Sequence, residues 1–562
     1  MTTNISSPRR IQSRAGRFLP LAAIMVVYAA AVGLSVNWGL PGPERVKLLF
    51  PGGVDETTLA EISARAAAKS AAESDVPIVL QGQRPAAPRW SRDEALDACR
   101  RFLLYSDNPD EMMTLSALSR LKPAEGRFDP GIGQYGGAFL YPLGVWLKTA
   151  AATGLVRQGD LGFYVRHPAE MAALYVAGRL FVALCVAAAI VVVYLIGLRL
   201  GGPAAAALAA GLVAFSPAVL AESVVLKPHA AALLPAMLAV YWTFKYFDSP
   251  SRRLLLAAAL AAGLALGMTT TAAPALLVVL LGVWLVPQAR LGRTVLAVAV
   301  AAAAFLLTNP YSLLSLHDRL AEMEQIRRFY AGPISALAPL DYLAHPLREG
   351  FGLPFILAAV AGAILLISHD RRKAALVLVP IVLVLALMPL GLGRWASDPQ
   401  MVRFALPVIA LLAVVIGWAA TLLPRLSAAM VTGVLTVALA LALPTVYAQW
   451  QSSHGVSVRL EAGRWLNQNA AAGQAVLMDY PPAPYRAPPL DYLHREILYA
   501  PDPARSYFAV STSVGSQTPP PDRSGQRRAV FSLGNGSPWF RAPVTFADRT
   551  IFIDLCVSAT KK

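Results

Sequence analysis

The chain has 562 residues, of which 56% are hydrophobic and only 15% charged, and its mean hydropathy is +0.52. Such a composition is too apolar for a soluble enzyme of this length and marks a polytopic membrane protein. The net charge of +16 would suggest nucleic acid in a soluble protein. Here much of it lies in short loops and terminal segments that can face anionic lipid headgroups, so membrane lipids rather than nucleic acid are the expected partners.

Residues 1–17 carry Arg9, Arg10, Arg14 and Arg17 ahead of the apolar run FLPLAAIMVVYAAAVGLSV at 18–36. No small-residue cleavage site follows convincingly, which predicts a cytoplasmic N-terminus and an uncleaved first span. Residues 37–135 are too polar and charged to cross and form a large loop. Further apolar runs fall at 171–197, 204–220, 230–247, 254–268, 272–286, 294–307, 351–367, 374–392, 402–420 and 427–446. With the first, they make about eleven transmembrane helices.

The stretch at 136–154, GGAFLYPLGVWLKTAAATG, is long enough to cross but carries a Pro, a Lys and several Gly and Thr residues. If it does not cross, then Lys245, Arg252, Arg253, Arg290, Arg293, the triplet 371–373 and Arg425 all share the cytoplasmic side with the N-terminal arginines. If it does, all of them lie outside. We therefore expect an interfacial helix pair on the outer face, with Tyr141 and Trp146 at headgroup level.

The same parity places 37–135, 309–350 and the tail 449–562 outside a plasma (inner) membrane, with 18–448 forming the transmembrane domain. The tail alternates strand-like runs, QAVLM at 474–478 and TIFI at 550–553, with Pro-rich turns such as SQTPPPDR. It reads as a small mixed α/β extracytoplasmic domain. Cys99 and Cys556 would meet an oxidising compartment and could form one disulfide or remain free thiols. There is no CxxC and no HExxH motif.

Chemistry concentrates in the first loop, where SDNPDEMMTL at 106–115 places Asp110 and Glu111 directly before an apolar helical pattern. One account is helix initiation: Asp107 or Asn108 as N-cap, Pro109 at the first helical position and two acids against the helix dipole. The other is catalysis. After this helix the chain reads RFDPGIGQYGGAFLYPLGVWL, an amphipathic segment punctuated by Gly, Tyr and Pro. An acid pair above such a segment suits a lipid-linked substrate whose head is in water and whose chain is in the bilayer, with a carboxylate taking the acceptor's proton.

PDE at 109–111, QYGGAFLYPLG at 134–144, RLFVALCVAAAIVVVYLIGLRLGG at 179–202, AAALAAGLVAFSPAVLAES at 205–223, GLALGMTTTAAPALLVVLLG at 263–282 and VRFALPVIALLAVV at 402–415 together resemble the polyprenyl-phosphate-dependent glycosyltransferases of the GT-C fold. These include protein O-mannosyltransferases and aminoarabinose transferases. The resemblance covers roughly residues 15–450. It implies an inverting transfer of a sugar from a polyprenyl-phosphate donor, at the outer face, to a lipid, glycan or protein acceptor.

Carried over onto these positions, the catalytic acid is Asp110, with Glu111 beside it to orient it. At the outer end of the third span many relatives show an acid, whereas this chain reads AESVVLKPHAA, with Glu222 before it and Lys227 and His229 in its place. That weakens the case for a second acid or a metal site, although a divalent metal remains possible. Lys227 and His229 could contact a phosphate or simply snorkel at the interface. Arg403, in the late RF-x-x-P stretch, is either an interface anchor or a clamp for the lipid phosphate. Tyr135 joins these three as a candidate substrate contact. The helix with EMEQIRRFYAGP, holding Arg327, Arg328 and Tyr330, is either a solvated amphipathic helix or a cover over the substrate.

Two other functions compete with this one. A transporter or flippase would carry ionisable residues buried mid-span and paired repeats; the spans hold almost none of the former, and no obvious repeat is seen. A non-catalytic GT-C-like assembly partner would have no need of Asp110.

Overall fold

The computed structural model describes residues 17–71, 90–287, 289–330, 335–423, 427–471, 474–478, 480–502, 504–514, 526–532 and 549–556. Arg9, Arg10, Arg14 and Arg425, and the whole of the Pro-rich stretch SQTPPPDR, lie outside the described residues.

Every apolar run of the sequence corresponds to helix: Leu19–Ser35, Pro168–Ala214, Leu233–Asp248, Arg252–Met268, Pro274–Leu285, Arg290–Thr308, Leu353–His369, Arg371–Leu392, Leu406–Ala420 and Ala428–Ser453. The second takes in two runs, separated by Gly202 at φ 79°, ψ −164°, a conformation that only Gly adopts without strain. Among the described residues six helical stretches are long and apolar enough to cross a membrane. A seventh is added if Ala338–Phe351 and Leu353–His369, bent by 107°, count as one span. The sequence count of eleven is larger because it credits short helices such as Pro274–Leu285, and counts the two runs either side of Gly202 separately.

Several of these helices begin where a side chain can accept from an otherwise unpaired backbone N–H. Ser251 accepts from Leu254, Asp370 from Lys373 and Ser427 from Met430. Leu406–Ala420 is buried along nearly its whole length and packs on Pro168–Ala214. The contact is close because a Cβ at Gly417 would sit 2.6 Å from the Ala205 carbonyl oxygen. Small residues of this kind let helix backbones approach where the apolar solvent offers no other driving force.

One end of the bundle is basic. Arg199 and Lys373 both pair with Asp248, at 2.7 and 3.1 Å, and Arg293 donates to the Tyr246 hydroxyl at 3.0 Å. From this end the same helices run to Thr269–Thr271, Phe305 and Leu390, which line a cavity at the other. The stretch 136–154 forms a single helix, Gly137–Ala152 with Pro142 inside it, rather than the expected pair.

The tail follows helix Val458–Asn469 with a five-stranded mixed sheet: β1 Ala475–Met478, β2 Ile497–Leu498, β3 Tyr507–Val514, β4 Gln526–Phe531 and β5 Arg549–Cys556, in the order β2-β1-β3-β5-β4. β1 is parallel to both β2 and β3, whereas β5 is antiparallel to β3 and β4. Both strand-like runs of the sequence lie in this sheet. The first loop holds it in place. Arg101 donates to the Pro482 carbonyl (2.8 Å), Phe102 stacks on Tyr492, and buried Asp107 accepts from Arg45 (2.7 Å) and Arg459 (3.0 Å). Cys99 and Cys556 are both buried, and no disulfide joins them.

Candidate active site

The acid pair sits at the start of helix Pro109–Arg120. Asn108 is the N-cap, its side chain accepting from the Asp110 N–H at 3.0 Å, and Pro109 occupies the first turn. The helix-start account of the sequence therefore describes the local geometry, and what separates the two acids is the direction each then takes.

Glu111 turns inward and is completely buried. Arg179 binds it bidentately, Nε to Oε1 at 2.8 Å and Nη2 to Oε2 at 2.7 Å. Ser106 Oγ donates to the same carboxylate, and the Leu226 N–H donates to Oε1 at 2.7 Å. The lone pairs of this carboxylate are thus fully engaged. Arg179 spends its remaining fork on the carbonyls of Val36 and Trp38, at 2.7 and 2.8 Å. Glu111 is a brace that fixes Ser106, Leu226 and the first span around the helix start, and it is not among the residues facing the cavity.

Asp110 turns the other way and lines the cavity, with its side chain 23% exposed. Its Oδ2 lies 3.6 Å from Lys227 Nζ, which is buried and 3.1 Å from Glu222 Oε2. A lysine held between two carboxylates leaves the trio with one net negative charge. The Glu111–Leu226 hydrogen bond sets this spacing, because it ties the residue before Lys227 to the residue after Asp110. No three His, Cys, Asp or Glu side chains converge as metal ligands among the described residues. Where Asp110 and Glu222 approach each other, an ammonium stands between them.

The cavity has a volume of about 1170 Å3. Tyr135, His229 and Arg403 line it with Asp110, whereas Lys227 stands just behind Asp110. Tyr135 and His229 meet edge to face (6.2 Å), and His229 contacts Phe404 (5.3 Å) and the Thr271 hydroxyl (3.2 Å). Burial, and then the charge of Asp110, push the Tyr135 phenol well above its ordinary value, so it remains a neutral donor. Arg403 lies over the Phe404 ring at 4.8 Å and donates to the Gln400 carbonyl at 3.4 Å. Its buried Nε has no hydrogen-bond partner among the described residues.

Tyr135 is set in place by the glycines that follow it. A Cβ at Gly136 would lie 1.9 Å from the Gly267 carbonyl oxygen, and one at Gly137 2.0 Å from that of Thr308. Only Gly allows such contact, and the Gly136 N–H uses it to donate to Met268 at 3.0 Å.

Helix Leu316–Tyr330 forms another wall, contributing Arg327 and Tyr330. It is clamped by Glu322, which accepts from the Gly133 N–H at 2.6 Å, while Arg319 pairs with Asp129 at 3.2 Å. Arg328 pairs with Glu324. The tail domain completes the enclosure with Tyr480, Tyr485, Arg486 and Val510.

Sequence reasoning missed Arg179, Glu222 as a partner of Lys227, and the contribution of the tail. Arg179 had a signal, since an arginine inside an apolar run demands a partner, although nothing in the sequence singled out Glu111 as that partner. The tail residues had none.

Residues 159–312 match the family described as dolichyl-phosphate-mannose-protein mannosyltransferase. The resemblance read from the sequence to the polyprenyl-phosphate-dependent glycosyltransferases holds over this segment, which contains Glu222, Lys227 and His229 but not Asp110. No curated protein matches the chain in sequence. Among solved structures, ArnT from Cupriavidus metallidurans bound to undecaprenyl phosphate is similar at 14% identity and a TM-score of 0.43, over 96% of this chain and 98% of that one. The archaeal oligosaccharyltransferase AglB from Archaeoglobus fulgidus, in complex with an inhibitory peptide and a dolichol-phosphate, is similar at 13% identity and a TM-score of 0.41, over 86% of this chain. The present chain spans 65% of the length of AglB.

Proposed function

We propose that the protein is a membrane glycosyltransferase that moves a sugar from a polyprenyl-phosphate donor to a hydroxyl or amine acceptor, with inversion at the anomeric carbon. The observation that carries this reading is the division of labour in the acid pair. Glu111 is saturated by Arg179, Ser106 and Leu226, while Asp110 opens into a large cavity with cations beside it.

Asp110 takes the proton of the acceptor as its oxygen or nitrogen attacks the anomeric carbon. The bond from that carbon to the phosphate oxygen breaks, and the polyprenyl phosphate leaves with the electron pair. Arg403, whose Nε has no partner among the described residues, is placed to meet the growing negative charge as a charge-assisted donor, while Lys227 behind Asp110 holds the proposed base in place. Tyr135 and His229 shape the sugar subsite. The cation between Asp110 and Glu222 is a lysine, so we propose that transfer needs no divalent metal, and chelation by EDTA is expected to leave it unchanged.

The reading is tested by Asp110→Asn. Asn preserves the shape and can still begin a helix but cannot take up the proton, so transfer from a polyprenyl-phosphate sugar is expected to fall by about 10²- to 10⁴-fold. Extracted protein should keep its melting temperature and its lipid-phosphate binding. Near-normal transfer by this variant would reduce the acid pair to a helix start.

We also propose that the cavity faces the outer side of a plasma membrane. Lys373, Arg293 and Arg199 gather at the opposite end of the helices that line it, as basic residues do on the cytoplasmic side. Reporter fusions at Pro339 should read outside and those at Arg372 inside; the reverse pattern would invert the orientation.

A further inference from the structure

Four arginines line the cavity whose side chains can be followed to their partners, and they fall into two groups. Arg319 is paired with Asp129 and Glu322, and Arg327 with Glu324. Arg403 and Arg486 are paired with no carboxylate among the described residues, and, as at Nε of Arg319, each has a buried N–H without a hydrogen-bond partner there: Nε of Arg403 and Nη1 of Arg486. Each guanidinium lies over an aromatic ring, Arg403 over Phe404 at 4.8 Å and Arg486 over Tyr480 at 4.4 Å. Stacking of this kind fixes the plane of the fork without satisfying its donors.

The two differ in what surrounds them. Arg403 belongs to the membrane part and shares the field of Asp110 and Glu222. Arg486 belongs to the tail domain, where the phenols of Tyr485 and Tyr480 act on it, and burial lowers its pKa. An arginine nevertheless stays charged. A partly buried guanidinium with no anion of its own is costly to keep, and that cost is removed when a ligand supplies the anion.

We propose that Arg486, on its Tyr480–Tyr485 ledge, is the acceptor subsite, and that the acceptor is a hydroxyl-bearing molecule carrying an oxyanion, either a phosphate monoester or a carboxylate. This rests on the glycosyltransferase reading, in which Arg403 is occupied by the donor phosphate. A second anion site on the far domain is then redundant for the donor and available for the other substrate.

The test uses the full chain in lipid nanodiscs, titrated with undecaprenyl phosphate, glucose 6-phosphate, glucuronate and glucose at matched ionic strength. The native protein should bind at least one of the two anionic sugars about tenfold or more tighter than glucose, and the arm showing that preference names the anion. Arg486→Gln should abolish the preference while leaving undecaprenyl-phosphate affinity within about twofold. Arg403→Gln should do the reverse. Arg486→Lys, which keeps the charge and loses the fork, should weaken the anionic sugar only partly, and it decides the matter if the Gln variant melts early. The proposal is overturned if the native protein shows no preference for an anionic sugar, if the preference survives in Arg486→Gln, or if Arg486→Gln loses undecaprenyl phosphate as well. Failure of the native protein to bind undecaprenyl phosphate at all would instead sink the glycosyltransferase reading.

Discussion

Two neighbouring carboxylates with the same local sequence context end up with opposite chemistry, because a helix turns successive side chains by about 100°. Asp110 reaches the cavity and Glu111 the interior, so equal roles in catalysis are geometrically closed to them. Beside the orienting role expected of it, Glu111 has contacts that make it a structural centre. Glu111→Gln would leave the fully buried Arg179 facing a neutral amide, and breaking a buried pair from one side typically costs about 3–5 kcal/mol. The variant should therefore lose thermal stability in detergent, along with activity in proportion to unfolding. Asp110→Asn should lose activity without that shift. A Glu111→Gln protein as stable as the native one would show that Arg179 finds another partner.

At the scale of elements, most helices were legible because the apolar runs are of helix length and several begin just after a residue that can cap a helix. Ser251, Asp370 and Ser427 stand in cap positions, and Pro109 begins the helix with the acids as its position in sequence implies. Contacts across long separations were not legible. Arg179 lies 68 positions from Glu111, and nothing in either local pattern announces the other. The glycines of QYGG were visible as punctuation, but their reason is tertiary: two foreign carbonyl oxygens lie where their Cβ atoms would be. Gly136→Ala should force helix Gly137–Ala152 away from Met268, at a cost of about 1–3 kcal/mol for overpacking. Since Tyr135 precedes that glycine, weaker donor binding should accompany a lowered melting temperature. An unchanged melting temperature would mean that the backbone at Gly267 yields freely.

On the scale of the whole molecule, the cavity is built jointly by the membrane helices and the tail domain. Sequence patterning distinguished an apolar helical part from a strand-bearing tail but gave no sign that they meet. One junction between them is Asp107, buried between Arg45 and Arg459, three residues before the proposed base. Asp107→Asn would leave two buried guanidiniums without their shared anion. It should free the tail, read as faster release of a fragment beginning near residue 454 under limited proteolysis, with transfer reduced in step. Protection equal to that of the native chain would show that the contacts of Arg101 and Phe102 suffice.

The pairing of Asp107 with Arg459 also has a consequence in time. The two residues are 352 positions apart, and at about 5–20 residues per second the ribosome needs roughly 20–70 s to deliver the second after the first. During that interval the first loop has been made but the arginine that completes its anchor has not. The residues around the acid pair therefore reach their final arrangement only late in synthesis, and a nascent chain halted before residue 459 should insert its helices yet be unable to hold the loop as the finished protein does.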